Sequence, residues 1–208
     1  MAFKAIIHDF QPECMRAGSD TASALMLPLA GRYLVNRVVE ALAAAGCREA
    51  LVVSTFEPDD RYRRFLSDAA PGMSLTVVSP EQGGERLCDG DPSESLILLD
   101  PRYFPLDNYD LTALLDAHRE HFGAVFAGGV IEGDDRVTER VTLDSAGHVH
   151  AVDRVFDRMV WSQQDVRAIP FGVIPRTLAI HGPQFPLTIM RQRLAARGVP
   201  LRDVPLKS

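Results

Sequence analysis

Asp100 follows the run Ser95-Leu-Ile-Leu-Leu99 and precedes Pro101. A carboxylate leaving the C-terminal end of a buried strand stands where open α/β sheets bind their ligands. As a hard oxygen donor it suits a divalent cation, which needs further oxygens from protein or phosphate. The same residue also caps a turn before proline well, and the residues alone leave both roles open. Gly83 and Gly84 lie in Gln82-Gly-Gly-Glu-Arg-Leu-Cys-Asp-Gly-Asp-Pro92, where missing side chains let a backbone approach a ligand or simply make a surface loop. Asp89-Gly-Asp91 has Asp-x-Asp spacing but falls before the apolar run rather than at its end, and reads as turn. His148 and His150 alternate along a strand and share one face. Without a third ligand at suitable spacing they read as a solvated face, not a metal site.

Those residues need a scaffold, and the composition bounds it. With 208 residues, 46% hydrophobic and 24% charged, the chain builds one buried core, read as a single domain over 1–208. Its formal charge of −6 excludes a general polyanion binder, so nucleic acid is not an expected partner. A local phosphate site needs only a few backbone N–H groups and one Arg. Cys14, Cys47 and Cys88 are odd in number and widely spaced, as in a reducing compartment. The opening MAFKAIIHDF is too short an apolar stretch for a signal peptide, and no run approaches the ~20 residues that span a bilayer. A cytoplasmic protein without a membrane span is the expectation.

Short apolar runs alternate with amphipathic stretches, the rhythm of a parallel sheet with helices on its faces. Strands are predicted at Phe3–Ile7, Glu49–Ser54, Ser74–Val78, Ser95–Leu99, Ala124–Gly128 and Ile169–Ile174, the first four parallel in one sheet. Apolar positions from Leu34 to Ala45 fall at helical spacing within Arg32–Ala45, with Gly46 just past the end. Further helices are predicted at Pro58–Ser67, at Asp110–Phe122 with Asp110 as N-cap, and in short stretches at Pro175–Ile180 and Pro186–Arg197. Pro80–Ser93, rich in Gly, Pro, Asp and Glu, reads as loop. Arg136–Leu143 and Val149–Phe156 flank Asp144-Ser-Ala-Gly147 and form a hairpin. Val199–Ser208 carries no stop signal, as in a domain cut from a longer polypeptide.

The segment Leu27-Pro-Leu-Ala-Gly-Arg-Tyr-Leu-Val-Asn-Arg-Val-Val-Glu-Ala-Leu-Ala-Ala-Ala-Gly46 resembles the part of sugar-phosphate nucleotidyltransferases that follows their signature loop. There a Pro-x-x-Gly turn leads into the first long helix. Ser95–Asp100 resembles the strand that delivers the family's metal-binding Asp, and Asp110–Arg119 the helix after it. Glu139–Phe156 resembles a hairpin bearing a Glu-Lys pair near the sugar phosphate, and Ile169–Pro175 the strand that follows. The likeness runs in order from about residue 3 to 180. It implies a three-layer α/β sandwich of nucleotidyltransferase type, with a mostly parallel sheet and a small antiparallel hairpin over the ligand cleft.

The family's reaction joins a nucleoside triphosphate to a sugar phosphate by in-line displacement at phosphorus, which needs cations around the phosphates and close backbone approach. The resemblance implies Mg²⁺ as cofactor if the chain is active, with Arg16 and Asp100 as candidate catalytic residues and Asp100 as the metal ligand. Asp153-Arg154 takes the place of the Glu-Lys pair, and Asp100, Asp153, Arg154, Gly83 and Gly84 make up the implied ligand-binding set. Three departures argue for lost chemistry. The loop His8–Asp20 holds one Gly (Gly18), one Arg (Arg16) and the acids Asp9, Glu13 and Asp20, which repel a triphosphate. Ala24 aligns with the family's Lys. The small base-recognising helix of relatives is replaced by the presumed loop at Pro80–Ser93. The leading expectation is a weak or inactive nucleotidyltransferase-like domain of bacterial polysaccharide assembly, binding a sugar nucleotide, a sugar phosphate or a fused or associated sugar transferase. An active enzyme with a rebuilt loop and a ligand-free structural or dimerising module are the alternatives.

Overall fold

Alternation along the first strand divides the protein into two cores. The computed structural model describes residues 2–9, 23–56, 58–101, 108–129, 139–146, 148–154, 165–179 and 187–206. In β1 (Phe3–Asp9), Phe3, Ala5 and Ile7 enter one core, while Ile6 enters the other. The first core is closed by α1 (Leu34–Ala44), α2 (Asp60–Ala69) and α4 (Asn108–His121), through Val35, Val38, Leu42, Leu66 and Leu114. The second lies under α3 (Pro80–Cys88) and α5 (Leu187–Ala196), the latter through Met190 and Leu194. Helices on both faces of one sheet make three layers, as the sequence predicts.

The other strands are β2 (Pro28–Leu29), β3 (Arg32–Tyr33), β4 (Glu49–Ser54), β5 (Ser74–Val78), β6 (Ser95–Leu99), β7 (Ala124–Gly129), β8 (Glu139–Leu143), β9 (Val149–Arg154), β10 (Asp165–Pro175) and β11 (Leu201–Pro205). The sheet order is β11-β7-β10-β6-β1-β4-β5. The four strands predicted as parallel neighbours are so paired, β1 lying between β4 and β6 with β5 outside β4. Only β10 opposes the common direction along this path. The expected hairpin is β8 with β9, joined to the sheet through β10. A second small ribbon, β2 with β3, turns through Ala30 and Gly31, both at positive φ. Tight hairpin turns require that twist.

Several boundaries differ from expectation. The presumed loop at Pro80–Ser93 contains helix α3. Ser79 is its N-cap, Pro80 occupies the first turn, and Ser79 and Gln82 form a reciprocal capping box. Pro at the start of a helix initiates rather than breaks it. The fourth helix begins at Asn108, two residues before Asp110. β10 begins at Asp165, ahead of Ile169, because its first residues pair with β8. β11 was not expected, since charged residues interrupt its apolar pattern. Asp203 points inward and meets Arg191 of α5 at 3.4 Å, both side chains almost fully buried. Arg191 also donates to the Ala127 carbonyl at 2.6 Å and lies over the Phe126 ring, tying α5, β7 and β11 together.

Ser95 and His118 approach to 2.8 Å, a spacing met in nucleophile–base pairs, but at the N-terminal start of β6. His118 also bonds the Gly123 carbonyl, so the pair fastens α4 to the sheet at the end away from Asp100.

Gly172 faces Gly-sized space in β10. A Cβ there lies 2.5 Å from the Phe126 ring and 2.8 Å from the Val125 carbonyl, and backbone cannot step aside. Gly172→Ala is expected to lose roughly 3 kcal/mol by overpacking, read by chemical denaturation. Gly123→Ala, whose Cβ meets nothing nearer than 3.6 Å, is the control and stays within about 1 kcal/mol of the parent. Equal losses in both variants contradict this packing.

Candidate active-site edge

The C-terminal ends of β1, β4 and β6 bring Asp9, Ser54 and Asp100 to one edge of the sheet. Asp9 pairs in register with Ser54, and one step beyond the registered pair Ile7 and Leu99 come His8 and Asp100. His8, Asp9 and Asp100 are all buried. The acid read from sequence as a repellent in the phosphate loop has another function. Asp9 accepts hydrogen bonds from the Ala24 N–H at 3.1 Å, the Tyr62 hydroxyl at 2.6 Å and the Ser23 hydroxyl. Ser23 in turn caps the 3-10 helix Ala24–Met26 through the Leu25 N–H. Burial raises the Asp9 pKa against these bonds, and the negative charge of Asp100 adds to the rise. Burial also lowers His8 to about 4, which keeps its imidazole neutral near pH 7.

Beside this edge a recess of about 510 Å³ opens between β4, β5 and the start of α3. Its volume is in the range of small-molecule sites. Phe56, Pro58, Val77, Val78 and Pro80 are among the residues that line it. Among the described residues that line it, Arg63 is the one cation and Glu81 the one acid. Phe56 is held from two sides. Its ring meets Tyr62 edge to face at 5.1 Å, and its backbone bonds the Ser54 hydroxyl, at 3.0 Å from the carbonyl and 3.3 Å from the N–H. A second recess of equal volume lies along the outer edge of β5 against α2, away from Asp100.

The donors at the start of α3 are engaged within the helix. The Gln82 N–H donates to the Ser79 hydroxyl at 3.3 Å, and the Ser79 N–H to the Gln82 side-chain oxygen at 3.4 Å. The Glu81 carboxylate accepts from its own N–H and from Ser79, which hold its pKa below the ordinary range. Pro80 has no N–H to give. This helix terminus therefore presents no free donor set to an anion.

The residues expected from sequence fare differently. Asp100 lies at the predicted edge. Gly83 sits inside α3, buried, where a Cβ would come within 2.9 Å of Val53; its small size serves the helix–strand contact. Gly84 follows it in the same helix. Asp153 and Arg154 end β9, in register with Arg140 and Glu139. Arg16 lies outside the described residues. Among the described residues no three His, Cys, Asp or Glu cluster to hold a metal. Both oxygens of Asp9 accept hydrogen bonds, and Asp100 is the neighbouring acid whose charge acts on it. Sequence reasoning missed Tyr62 and Phe56. The aromatic spacing of Pro58–Ser67 was visible, but the long-range bond to Asp9 was not.

The buried imidazole and the buried Asp203 have opposite linkage to pH. For His8 the folded pKa lies below the unfolded value near 6.5, so its contribution is present above that pH and is lost as pH falls toward 4. For Asp203 burial raises the pKa to about 6, against the charge of Arg191, so its contribution is present at low pH and lost as pH rises through 6. Between pH 7 and pH 4.5, His8→Gln is expected to reduce the acid-side loss of stability by on the order of 2–3 kcal/mol. Asp203→Asn is expected to deepen that loss by about 2 kcal/mol. Denaturant titrations at the two pH values measure both, and shifts of the same sign in the two variants refute the assignment.

No protein-family model and no curated protein sequence matches this chain. Solved structures do match along nearly its whole length. A CMP:2-keto-3-deoxy-manno-octonic acid synthetase in complex with CTP superposes with a TM-score of 0.67 at 16% identity, covering 99% of this chain and 90% of the other. HddC from Yersinia pseudotuberculosis gives 0.71 at 9% identity, over 97% and 89%. A protein assigned as glucose-1-phosphate thymidylyltransferase from Bacillus anthracis, in complex with sucrose, gives 0.74 at 13% identity, over 99% and 87%. With the sheet order, the two helical layers and the acid edge already in place, these similarities establish that the chain has the nucleotidyltransferase fold.

Proposed function

We propose that this chain is a nucleotidyltransferase-like domain that binds a sugar nucleotide or sugar phosphate at the Asp9–Asp100 edge and turns it over weakly or not at all. The observation that carries the reading is the recess at the C-terminal ends of β4 and β5, lined by Ser54, Phe56 and the start of α3 on the same edge of the sheet. A short helix at this position, where the sequence suggested only loop, supports ligand recognition. Weak catalysis follows from charge. In-line displacement at phosphorus needs positive charge gathered on the phosphate oxygens. Here two buried acids occupy the strand ends, His8 is neutral, and the described lining of the recess holds one Arg against one Glu. Bacterial polysaccharide assembly, in the cytoplasm and beside a fused or associated sugar transferase, is the setting that suits such a binding domain. None of the described helices is long and apolar enough to cross a membrane.

The test pairs binding with turnover. A sugar nucleotide at 100 times its dissociation constant is expected to stabilise the protein by about 2.7 kcal/mol, read as a thermal shift. Pyrophosphate release from any common triphosphate and hexose 1-phosphate pair, with Mg²⁺, is expected to stay undetectable. Turnover near ~1 per second establishes instead an active enzyme with a rebuilt loop. Asp100→Asn, which keeps size and removes charge, is expected to leave binding and stability nearly unchanged. A Mg²⁺-dependent affinity that Asp100→Asn abolishes overturns that expectation and makes Asp100 a metal ligand. Absence of any shift with sugar nucleotides or sugar phosphates leaves the ligand-free module.

A further inference from the structure

We propose that β5 is the edge through which two copies of this chain join, antiparallel about Thr76, into one continuous sheet. This pairing is independent of whether the Asp9–Asp100 edge takes a ligand. The sheet ends in β11 on one side and β5 on the other, and the two are guarded differently. β11 carries Arg202, the inward Asp203 and Pro205, and His148 bridges to it at Arg202. Charges, proline and a covering segment are the usual protections of a sheet edge. β5 reads Ser74-Leu-Thr-Val-Val78, with no charge and no proline, and it pairs with β4 without a bulge. No described strand lies along its other side.

The backbone on that side is set for pairing. The Ser74 N–H donates to the Arg48 carbonyl at 2.9 Å, so Ser74, Thr76 and Val78 turn their N–H and C=O groups toward β4. Leu75 and Val77, alternating with them, turn theirs outward. Opposite residues of an antiparallel pair exchange both bonds only when both face the partner strand. A dyad at Thr76 meets that condition, because it sets Leu75 of each copy against Val77 of the other. A register one residue off sets an outward residue against an inward one and forms no such pair. Thr76 then faces its own copy in the close, non-hydrogen-bonded position, where a Thr–Thr pair is favourable.

Side chains and charge agree with that register. Leu75 and Val77 pack toward the core under α2, and Val78 toward the core under α3. On the α2 face the dyad joins Leu75 to Val77, beside the recess of about 510 Å³ that Leu66, Met73 and Leu75 help to line. α2 connects two parallel strands and therefore runs opposite to β5, so the dyad lays it head to tail along its copy. Arg63, exposed and one turn into α2, lines that recess and comes toward the last turn of the copy's helix. That last turn has no basic residue of its own, and a cation there is stabilising. Val78 also lines the recess beside α3, so Ser74 of the second copy borders each such recess in the dimer.

Sedimentation velocity of the full chain, over a roughly hundredfold range of concentration, is expected to show monomer passing into dimer. Across the same range, amide exchange read by NMR is expected to slow about tenfold at Leu75 and Val77 and to stay unchanged at Thr76 and Val78. Thr76→Lys and Thr76→Asp each set like charges opposite one another, and each alone is expected to remain monomeric. Their equimolar mixture is expected to restore the dimer, which a variant that has lost its fold cannot do. Arg63→Glu is expected to weaken the dimer about tenfold. An Arg63→Glu dimer as tight as the parent's contradicts the head-to-tail placement of α2 and overturns this register. A native chain that stays monomeric, a dimer that survives both Thr76 substitutions, or a mixture that stays monomeric overturns the β5 pairing. Exchange at Leu75 and Val77 that ignores concentration overturns it as well.

Discussion

The carboxylate of Asp9 is where two separate parts of the chain are held to the sheet. It ends β1, receives the segment that starts at Ser23, and receives Tyr62 from α2. A buried carboxylate is tolerable only with its oxygens satisfied, because desolvation otherwise costs more than the fold can supply. The three donors answer that burial, the Ala24 N–H at one oxygen and the Ser23 and Tyr62 hydroxyls at the other. Asp100 tightens the requirement, since a second acid at the same edge raises the cost of ionising Asp9. In a protein of this fold the consequence reaches function. An acid anchored in structural bonds at the end of the first strand holds the edge together, and it also withholds from that edge the positive potential a polyphosphate seeks.

Most of the sheet was legible because its strands are uninterrupted apolar runs. Ala50–Ser54 and Ser95–Leu99 are interior strands with both faces covered, so burial alone writes their sequence. α1 was equally legible, since its buried positions recur at helical spacing and Gly46, at φ 87°, ends it. Asp100 was placed correctly from the run before it. What failed to show were features set by partners distant in sequence. α3 looked like loop because Gly83 and Pro80 count as breakers, and only contact with Val53 shows why a glycine belongs there. β11 was hidden by Asp203, whose counter-charge Arg191 lies on a different element. Asp9 was read as a charge facing ligand because the hydroxyl that turns it inward is 53 positions away.

The order of strands also says when the fold can be completed. β6 and β7 follow one another in the chain but leave a gap one strand wide, and β10 fills it from Asp165 onward. Until that segment emerges from the ribosome, the nascent chain carries two facing strand edges with unpaired N–H and C=O groups. Such edges recruit other chains. β10 then has to enter between them antiparallel to both, a long-range pairing that is slow to form because so much loop must close first. Synthesis and assembly are therefore coupled at a late point. β1 is made long before, yet the two parts of the sheet become one body only once Asp165–Pro175 has been added.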